Sequence, residues 1–201
     1  MLQAEAPALV LASASAARRA LLEGAGVTFA TRPASLDEAH IKRVSRAAGA
    51  NASDAALSLA FAKAAALGDI NALVIGADQI LVCDGAWFDK PADLAQARAH
   101  LLALRGRSHV LHTAIVCTRA GQLAWSHISH PTLTMRHFSD AFLDAYLAAE
   151  AGKLLASVGA YRLEGRGINL FQAIEGDQSA ILGLPLLPLL GFLRDCGIMA
   201  A

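Results

Sequence analysis

Asp78 is the residue whose placement most demands a chemical reason, because it interrupts an apolar run from Leu73 to Val82 that otherwise reads as a buried strand. The run turns at Asp84-Gly85 and returns through Trp87-Phe88 to Asp89-Lys90-Pro91, the pattern of a β-hairpin. A loop of Asp84-Gly85 alone would send Asp78 and Lys90 to opposite faces. A loop of Cys83-Asp84-Gly85, with Gly85 left-handed in a bulge, would set them directly opposite each other. The second register is the expectation, since a carboxylate in an apolar strand needs a partner and Lys90 is the cation in reach.

Other groups able to do chemistry are scattered along the chain. Ser13 and Ser15 stand between the apolar segment Ala8–Ala12 and a helical one, Ala16–Gly24, that carries Arg18-Arg19 in its first turns. A strand running into a helix start offers free backbone N–H groups and a favourable dipole to an anion, and arginine adds charge-assisted hydrogen bonds. An isolated arginine pair is more often only the solvated start of a surface helix. Asp37-Glu38 falls in a polar connection and reads as surface loop, while Lys63, near the end of a helix over Ser53–Ala66, suits the helix dipole there. Glu164 is the lone acid of a glycine-rich segment, Gly159 to Gly167, in which backbone could approach a ligand closely.

The elements that would position these groups alternate between strand and helix. Strands are expected over Ala8–Ala12, Val27–Phe29, the hairpin, Ser108–Cys117, Leu123–Ser129 and Thr132–Phe138. Helices are expected over Ala16–Gly24 with Ser15 as cap, Ser53–Ala66, Asp93–Leu104 ended by Gly106, Ser139–Ala149, and a closing apolar helix within Leu184–Leu193. His109 and His112, like His127 and His130, are three apart, which in a strand sends the rings to opposite faces and argues against a histidine metal site.

At 201 residues the chain suffices for one domain, residues 1–201, with one core or two small lobes sharing a cleft. Charged residues make up 17% and the formal net charge is zero, so no broad footprint for nucleic acid or an anionic membrane exists and anion binding must be local. Cys83, Cys117 and Cys196 are odd in number and far apart, which fits a reducing cytoplasm. The apolar run Leu182–Leu193 is cut by Pro185, Pro188 and Gly191 and is too short to span a bilayer. A soluble protein is expected.

Three blocks, LASASAARRALLEGAGVTF, GADQILVCDGAWFDKP and GAYRLEGRGINLFQAIEGDQSAILGLPL, stand in an order and spacing that resemble the Maf family of nucleoside triphosphate pyrophosphatases, also described as septum-formation inhibitors. The resemblance covers nearly the whole chain. It implies an α/β fold with a long twisted mixed sheet flanked by helices, and two lobes around a nucleotide cleft, akin to inosine triphosphatases. It also implies a homodimer and a divalent cation, Mg²⁺ or Mn²⁺. By position, Asp78 matches the family's catalytic proton acceptor, Ser13, Arg18, Lys63 and Lys90 match residues around the phosphates, and Glu38 matches an acid near the metal that Asp78 would share. The reaction so implied is attack of water on the α-phosphorus, giving a monophosphate and pyrophosphate.

Within that family, the branch acting on thymidine and uridine triphosphates has Arg, Thr and Gln where this chain has Ala17, Gln79 and Glu164. Gln79 and Glu164 resemble the branch acting on 7-methyl-GTP, and a carboxylate can accept from the guanine N1–H and exocyclic amine together. Ala16 replaces the family's proline, and Ala17 stands where that branch has an aromatic ring able to face a cationic base. The expected substrate is therefore 7-methyl-GTP or another purine triphosphate. The alternatives are a pyrimidine triphosphate pyrophosphatase and a non-catalytic nucleotide-binding regulator of cell division.

Overall fold

The computed structural model describes residues 2–68 and 71–200. Its strands are β1 (Ala8–Leu11), β2 (Ala30–Thr31), β3 (Ala72–Cys83), β4 (Ala86–Phe88), β5 (Ser108–Arg119), β6 (Gln122–Ser129), β7 (Thr132–Met135) and β8 (Phe171–Glu175). Its helices are α1 (Ala16–Gly24), α2 (Glu38–Ala47), α3 (Ala52–Ala65), α4 (Leu94–Leu104), α5 (Asp140–Leu154), α6 (Gln178–Ile181) and α7 (Leu186–Asp195). The strands form an open mixed sheet in the order β2-β1-β3-β5-β7-β8, with β4 paired to β3 and β6 to β5. An α/β fold with a mixed sheet and flanking helices is what the sequence pattern and the resemblance led one to expect.

Contacts divide the chain into two compact units. One comprises the residues up to Gln79, Thr113–Ser129 and the chain from Asp177 onward; the other comprises Ile80–His112 and His130–Gly176.

In the first unit β1 pairs in parallel with both β2 and β3, Leu9 lying beside Leu73 and Leu11 beside Ile75. Strand alternation sends Leu9, Leu11, Leu73, Ile75 and Ala77 to one face, where they pack with Leu22 of α1 and Leu189 and Leu193 of α7. Val10, Ala12 and Val74 turn to the other face, against Ala64 of α3. Gly76 and Asp78 share that second face by the same period of two. Gly76 sits hard against α3: a Cβ there would collide with the Ala60 carbonyl oxygen and come within 2.9 Å of the Ala64 nitrogen. The missing side chain lets strand and helix backbones touch, and this close approach brings Lys63 of α3 beside Asp78 of β3.

The second unit contains the hairpin, α4, β7, α5 and β8, with Leu101, Leu104, Leu111, Leu133, Met135, Leu143 and Leu154 buried. Here the expected hairpin register is not formed. Cys83 pairs with Ala86, Val82 with Trp87 and Leu81 with Phe88, so the loop is Asp84-Gly85 alone. Both loop residues are left-handed, Asp84 at φ 48° and Gly85 at φ 78°, which suits the twist of a two-residue hairpin and leaves no bulge.

Two other expectations need correction, and one strand was not foreseen. The strand placed at Val27–Phe29 is instead β2, Ala30–Thr31, because the Val27 N–H closes the end of α1 onto the Leu22 carbonyl at 3.0 Å and the Thr28 N–H donates to the Gln3 side chain at 2.7 Å. Asp37-Glu38 is not loop: Asp37 caps α2, accepting from the His40 N–H at 2.9 Å. β8, unforeseen in the glycine-rich region, pairs antiparallel with β7.

Because Gly76 has no room for a methyl group, Gly76→Ala is expected to destabilise the protein by about 3 kcal/mol or to prevent folding, through overpacking against helix backbone that cannot move aside. Urea unfolding of purified variant and wild type measures it, and a difference below about 1 kcal/mol would contradict the close-packed interface.

Candidate active site

The turn from β1 into α1 is built by its two serines. Ser15 caps α1 and accepts from the Arg18 N–H at 3.4 Å, and the buried Ser13 hydroxyl accepts from the Ser15 N–H at 3.2 Å. Arg18 folds back over this turn. Its Nη1 donates to Ser13 Oγ at 3.3 Å and to the Ala77 carbonyl at 2.8 Å, and its Nε donates to the Gly183 carbonyl at 2.7 Å. Gly183 is left-handed, φ 98°, and a Cβ there would press on the guanidinium, 3.2 Å from Nε. Arg19 points elsewhere, toward Glu23 at 3.8 Å in an exposed ion pair. Only one of the two adjacent arginines therefore belongs to the site, and the half-buried Ala17 brings no side-chain functional group to it.

Asp78, 5% exposed, takes its cation from Lys63 and not from Lys90 as expected: Lys63 Nζ donates to Asp78 Oδ1 at 2.6 Å. The same ammonium lies 3.0 Å from Glu38 Oε1, at the first turn of α2. Lys63 is itself buried, so a single lysine spans a buried carboxylate and a half-exposed one. Breaking such a buried pair leaves an uncompensated charge, typically at a cost of about 3–5 kcal/mol. The second oxygen of Asp78, Oδ2, is buried and has no hydrogen-bond partner among the described residues. Burial lowers the pKa of Arg18, and the negative charges of Asp78 and Glu38 act in the opposite direction. Lys63, Arg18, Asp78 and Glu38 thus form one electrostatic cluster whose formal charges cancel.

Gln79, next to the acid, turns to the opposite face of β3, where its Nε2 donates to Thr113 Oγ1 at 2.8 Å and to the carbonyls of Ala180 and Ile181 at 3.0 and 3.1 Å.

Lys90 and Glu164 belong to the second unit. Lys90 is exposed just beyond β4. Glu164 accepts from Arg162 Nε at 3.1 Å, and the Arg162 guanidinium also reaches Glu150 Oε2 at 3.5 Å. Glu150, 6% exposed on α5, lies 3.8 Å from Arg166 as well, so a buried acid ties down both arginines of the glycine-rich segment. Sequence reasoning passed over Glu150 because it lies in an unremarkable helix. Its only signal was a carboxylate one turn beyond the buried Tyr146. Beneath the same segment, His109 on β5 pairs through Nε2 with the Tyr161 hydroxyl at 2.9 Å, in contact with Phe171.

An α/β protein that seats a lysine-bridged carboxylate beside a strand-to-helix turn carrying an inward arginine is arranged for polyanion chemistry. The chain belongs to the Maf family: the profile described as "Maf-like protein" matches residues 8–196. It is 55% identical over 189 residues to a protein of Granulibacter bethesdensis named nucleoside triphosphate pyrophosphatase, covering 93% of this chain and 96% of that one. A protein of Gluconobacter oxydans with the same name is 52% identical over 96% of this chain and 97% of its own length. A Rhizobium meliloti protein named 7-methyl-GTP pyrophosphatase is 48% identical over 97% of this chain and 99% of its own. No described helix is long and apolar enough to cross a membrane.

Burial holds His109 neutral, with its pKa lowered from 6.5 to about 4. The unfolded chain therefore takes up a proton near pH 6.5 that the folded one refuses until about pH 4, so stability falls as the pH drops through that window. The loss from this group is expected to reach about 3 kcal/mol. Urea unfolding at pH 7 and pH 4.5 tests it: a His109→Gln variant should lose measurably less stability on acidification than wild type, and an equal loss would contradict it.

Proposed function

We propose that this chain, a nucleoside triphosphate pyrophosphatase, acts on 7-methyl-GTP or another purine triphosphate, with Asp78 as the acid that receives the proton of the attacking water. The observation that carries the mechanism is the unequal state of the two Asp78 oxygens: Lys63 occupies Oδ1, and Oδ2 is buried without a partner among the described residues. A buried acceptor left over in this way has a use for a proton or a cation.

The residues fit a divalent cation. Asp78 Oδ2 and the Glu38 carboxylate are hard oxygen donors of the kind magnesium takes, usually one or two beside substrate phosphates, and no larger cluster of histidine, cysteine and acidic side chains occurs among the described residues. Such an ion, when bound, neutralises phosphate charge and makes water more acidic. Charge balance supports the same reading, because Lys63 and Arg18 are already offset by Asp78 and Glu38 and a triphosphate needs cations beyond these.

The chain's own part is positioning. Arg18, held from two carbonyls and Ser13, presents a fixed guanidinium beside the free N–H groups at the start of α1, where phosphate oxygens would dock. Lys63 orients Asp78 so that one oxygen faces the reacting water, and the family resemblance gives Lys90 a part in holding the phosphates. Phosphoryl chemistry depends on such placement and charge neutralisation more than on covalent steps. For the base, Glu164 supplies a carboxylate whose orientation is braced by Arg162, an acceptor that suits guanine donors. The 7-methyl-GTP name of the Rhizobium meliloti relative supports this. The homodimer that the family resemblance implies and the reducing cytoplasm that the cysteine usage fits are part of the same proposal.

The test is turnover of 7-methyl-GTP, GTP, dTTP and UTP with Mg²⁺, following monophosphate and pyrophosphate. Purine triphosphates are expected to be favoured, and Asp78→Asn is expected to lower kcat by about 10³-fold, in the range for loss of a general base. Preference for dTTP or UTP would overturn the base assignment. An absence of turnover would identify a nucleotide-binding regulator instead.

A further inference from the structure

A carboxylate that is 6% exposed needs a cation, and Glu150 on α5 takes two. Its Oε2 lies 3.5 Å from Arg162 Nη1 and its Oε1 lies 3.8 Å from Arg166 Nη1, which also donates to the Ala149 carbonyl at 3.3 Å. The two arginines are not equivalent. Arg166 is largely exposed, whereas the half-buried Arg162 has a second acid, its Nε donating to Glu164 Oε1 at 3.1 Å. One guanidinium thus stands between a buried carboxylate and the exposed one assigned to the base.

The backbone of Arg162 is fixed independently of these charges. The Gly165 N–H donates to the Arg162 carbonyl at 3.2 Å, and Gly167 folds back onto the same residue: a Cβ there would collide with that carbonyl oxygen and lie 2.7 Å from the Arg162 nitrogen. Tyr161, just before it, is buried with its hydroxyl on His109 Nε2. What the turn leaves undetermined is the Arg162 side chain, which carries five N–H donors in a rigid plane. A guanidinium readily grips a carboxylate through two parallel hydrogen bonds, which here would occupy both oxygens of Glu164. That grip is not formed. Among the described residues Arg162 reaches Glu164 only at Oε1, with its plane turned so that Nη1 faces Glu150. Glu164 Oε2 and the second lone pair of Oε1 stay available, and together these are what a guanine N1–H and exocyclic amine require.

We infer that Glu150 is a positioning residue for base recognition: by engaging Arg162 it limits that arginine to a single contact with Glu164 and keeps the rest of the Glu164 carboxylate open to the nucleotide. This rests on the reading that Glu164 meets the base. Without Glu150 the Arg162 fork turns onto Glu164 and competes with the purine. The loss is then felt in which base is chosen and not in how the phosphates are held.

The test compares kcat/KM for GTP, or for 7-methyl-GTP if that is the better substrate, with kcat/KM for inosine triphosphate, whose base keeps the N1–H and lacks the amine. Inorganic tripolyphosphate, which has no base, serves as a competitive inhibitor that reads the phosphate site alone. Glu150→Leu is expected to lower the preference for the guanine nucleotide about tenfold through KM, the worth of roughly one hydrogen bond, and to leave tripolyphosphate inhibition within about twofold of wild type. Adding Arg162→Met, which removes the competitor, is expected to return about threefold of that preference, and in a Glu164→Gln background Glu150→Leu should add less than about twofold. Glu150→Gln, which keeps the shape and drops the charge, carries the same expectations if Glu150→Leu does not fold. An equal loss for both nucleotides and for tripolyphosphate would overturn the inference and leave Glu150 a purely structural acid. So would a lost preference that Arg162→Met does nothing to return. If wild type does not prefer the guanine nucleotide, or Glu164→Gln alone leaves its preference unchanged, the base-reading role of Glu164 fails instead, and the two failures are thereby told apart.

Discussion

One buried ion pair, Lys63 on Asp78 at 2.6 Å, constrains the architecture around it. Neither charge could be removed from water alone, and the pair forms only if α3 lies against β3 closely enough for a lysine and an aspartate to meet inside the protein. Gly76, two residues before the acid on the same face, permits that approach, and the alanines of α3, Ala56, Ala60 and Ala64, keep the helix surface thin. Glu38 at the start of α2 closes the far side of the ammonium, 3.0 Å away. The helix, the strand and the neighbouring helix are thus fixed by what the lysine needs.

What the pair leaves undone is as informative as what it does. An ammonium with two carboxylate neighbours would be fully used in a structural bridge, yet the carboxylate beneath it keeps a buried oxygen without a partner among the described residues. Near the same strand, Arg18 is held by two carbonyls and a serine, all neutral acceptors, so its charge is not spent on a direct contact with an acid. The site therefore holds an oriented acceptor and an oriented cation in one unit of the fold.

Much of this was legible from the chain. Ser15 capping α1 and the inward place of Asp78 were readable because caps and a charge in an apolar run are local signals. α2 was invisible because it buries none of its residues and its apolar face is little more than Ile41 and Val44 among charged neighbours, so Glu38 looked like loop. The partner of Asp78 was misread for a different reason. Hairpin logic considers only residues across the turn, whereas the true partner precedes the acid by fifteen residues and is delivered by a helix. Once the ladder closes at Cys83 opposite Ala86, the need that favoured the bulged register is already met from α3. The clasp on Arg18 depends on a backbone carbonyl at Gly183, and sequence reasoning, which ranks side chains, had no access to it.

The most direct test is a crystal structure of the chain with Mn²⁺ and a non-hydrolysable α,β-imido nucleoside triphosphate. The expected result is an anomalous peak within about 2.2 Å of Asp78 Oδ2, touching an oxygen of the innermost phosphate, with Lys63 still on Oδ1. A triphosphate bound with its metal away from Asp78, and Oδ2 meeting only protein atoms, would contradict the account.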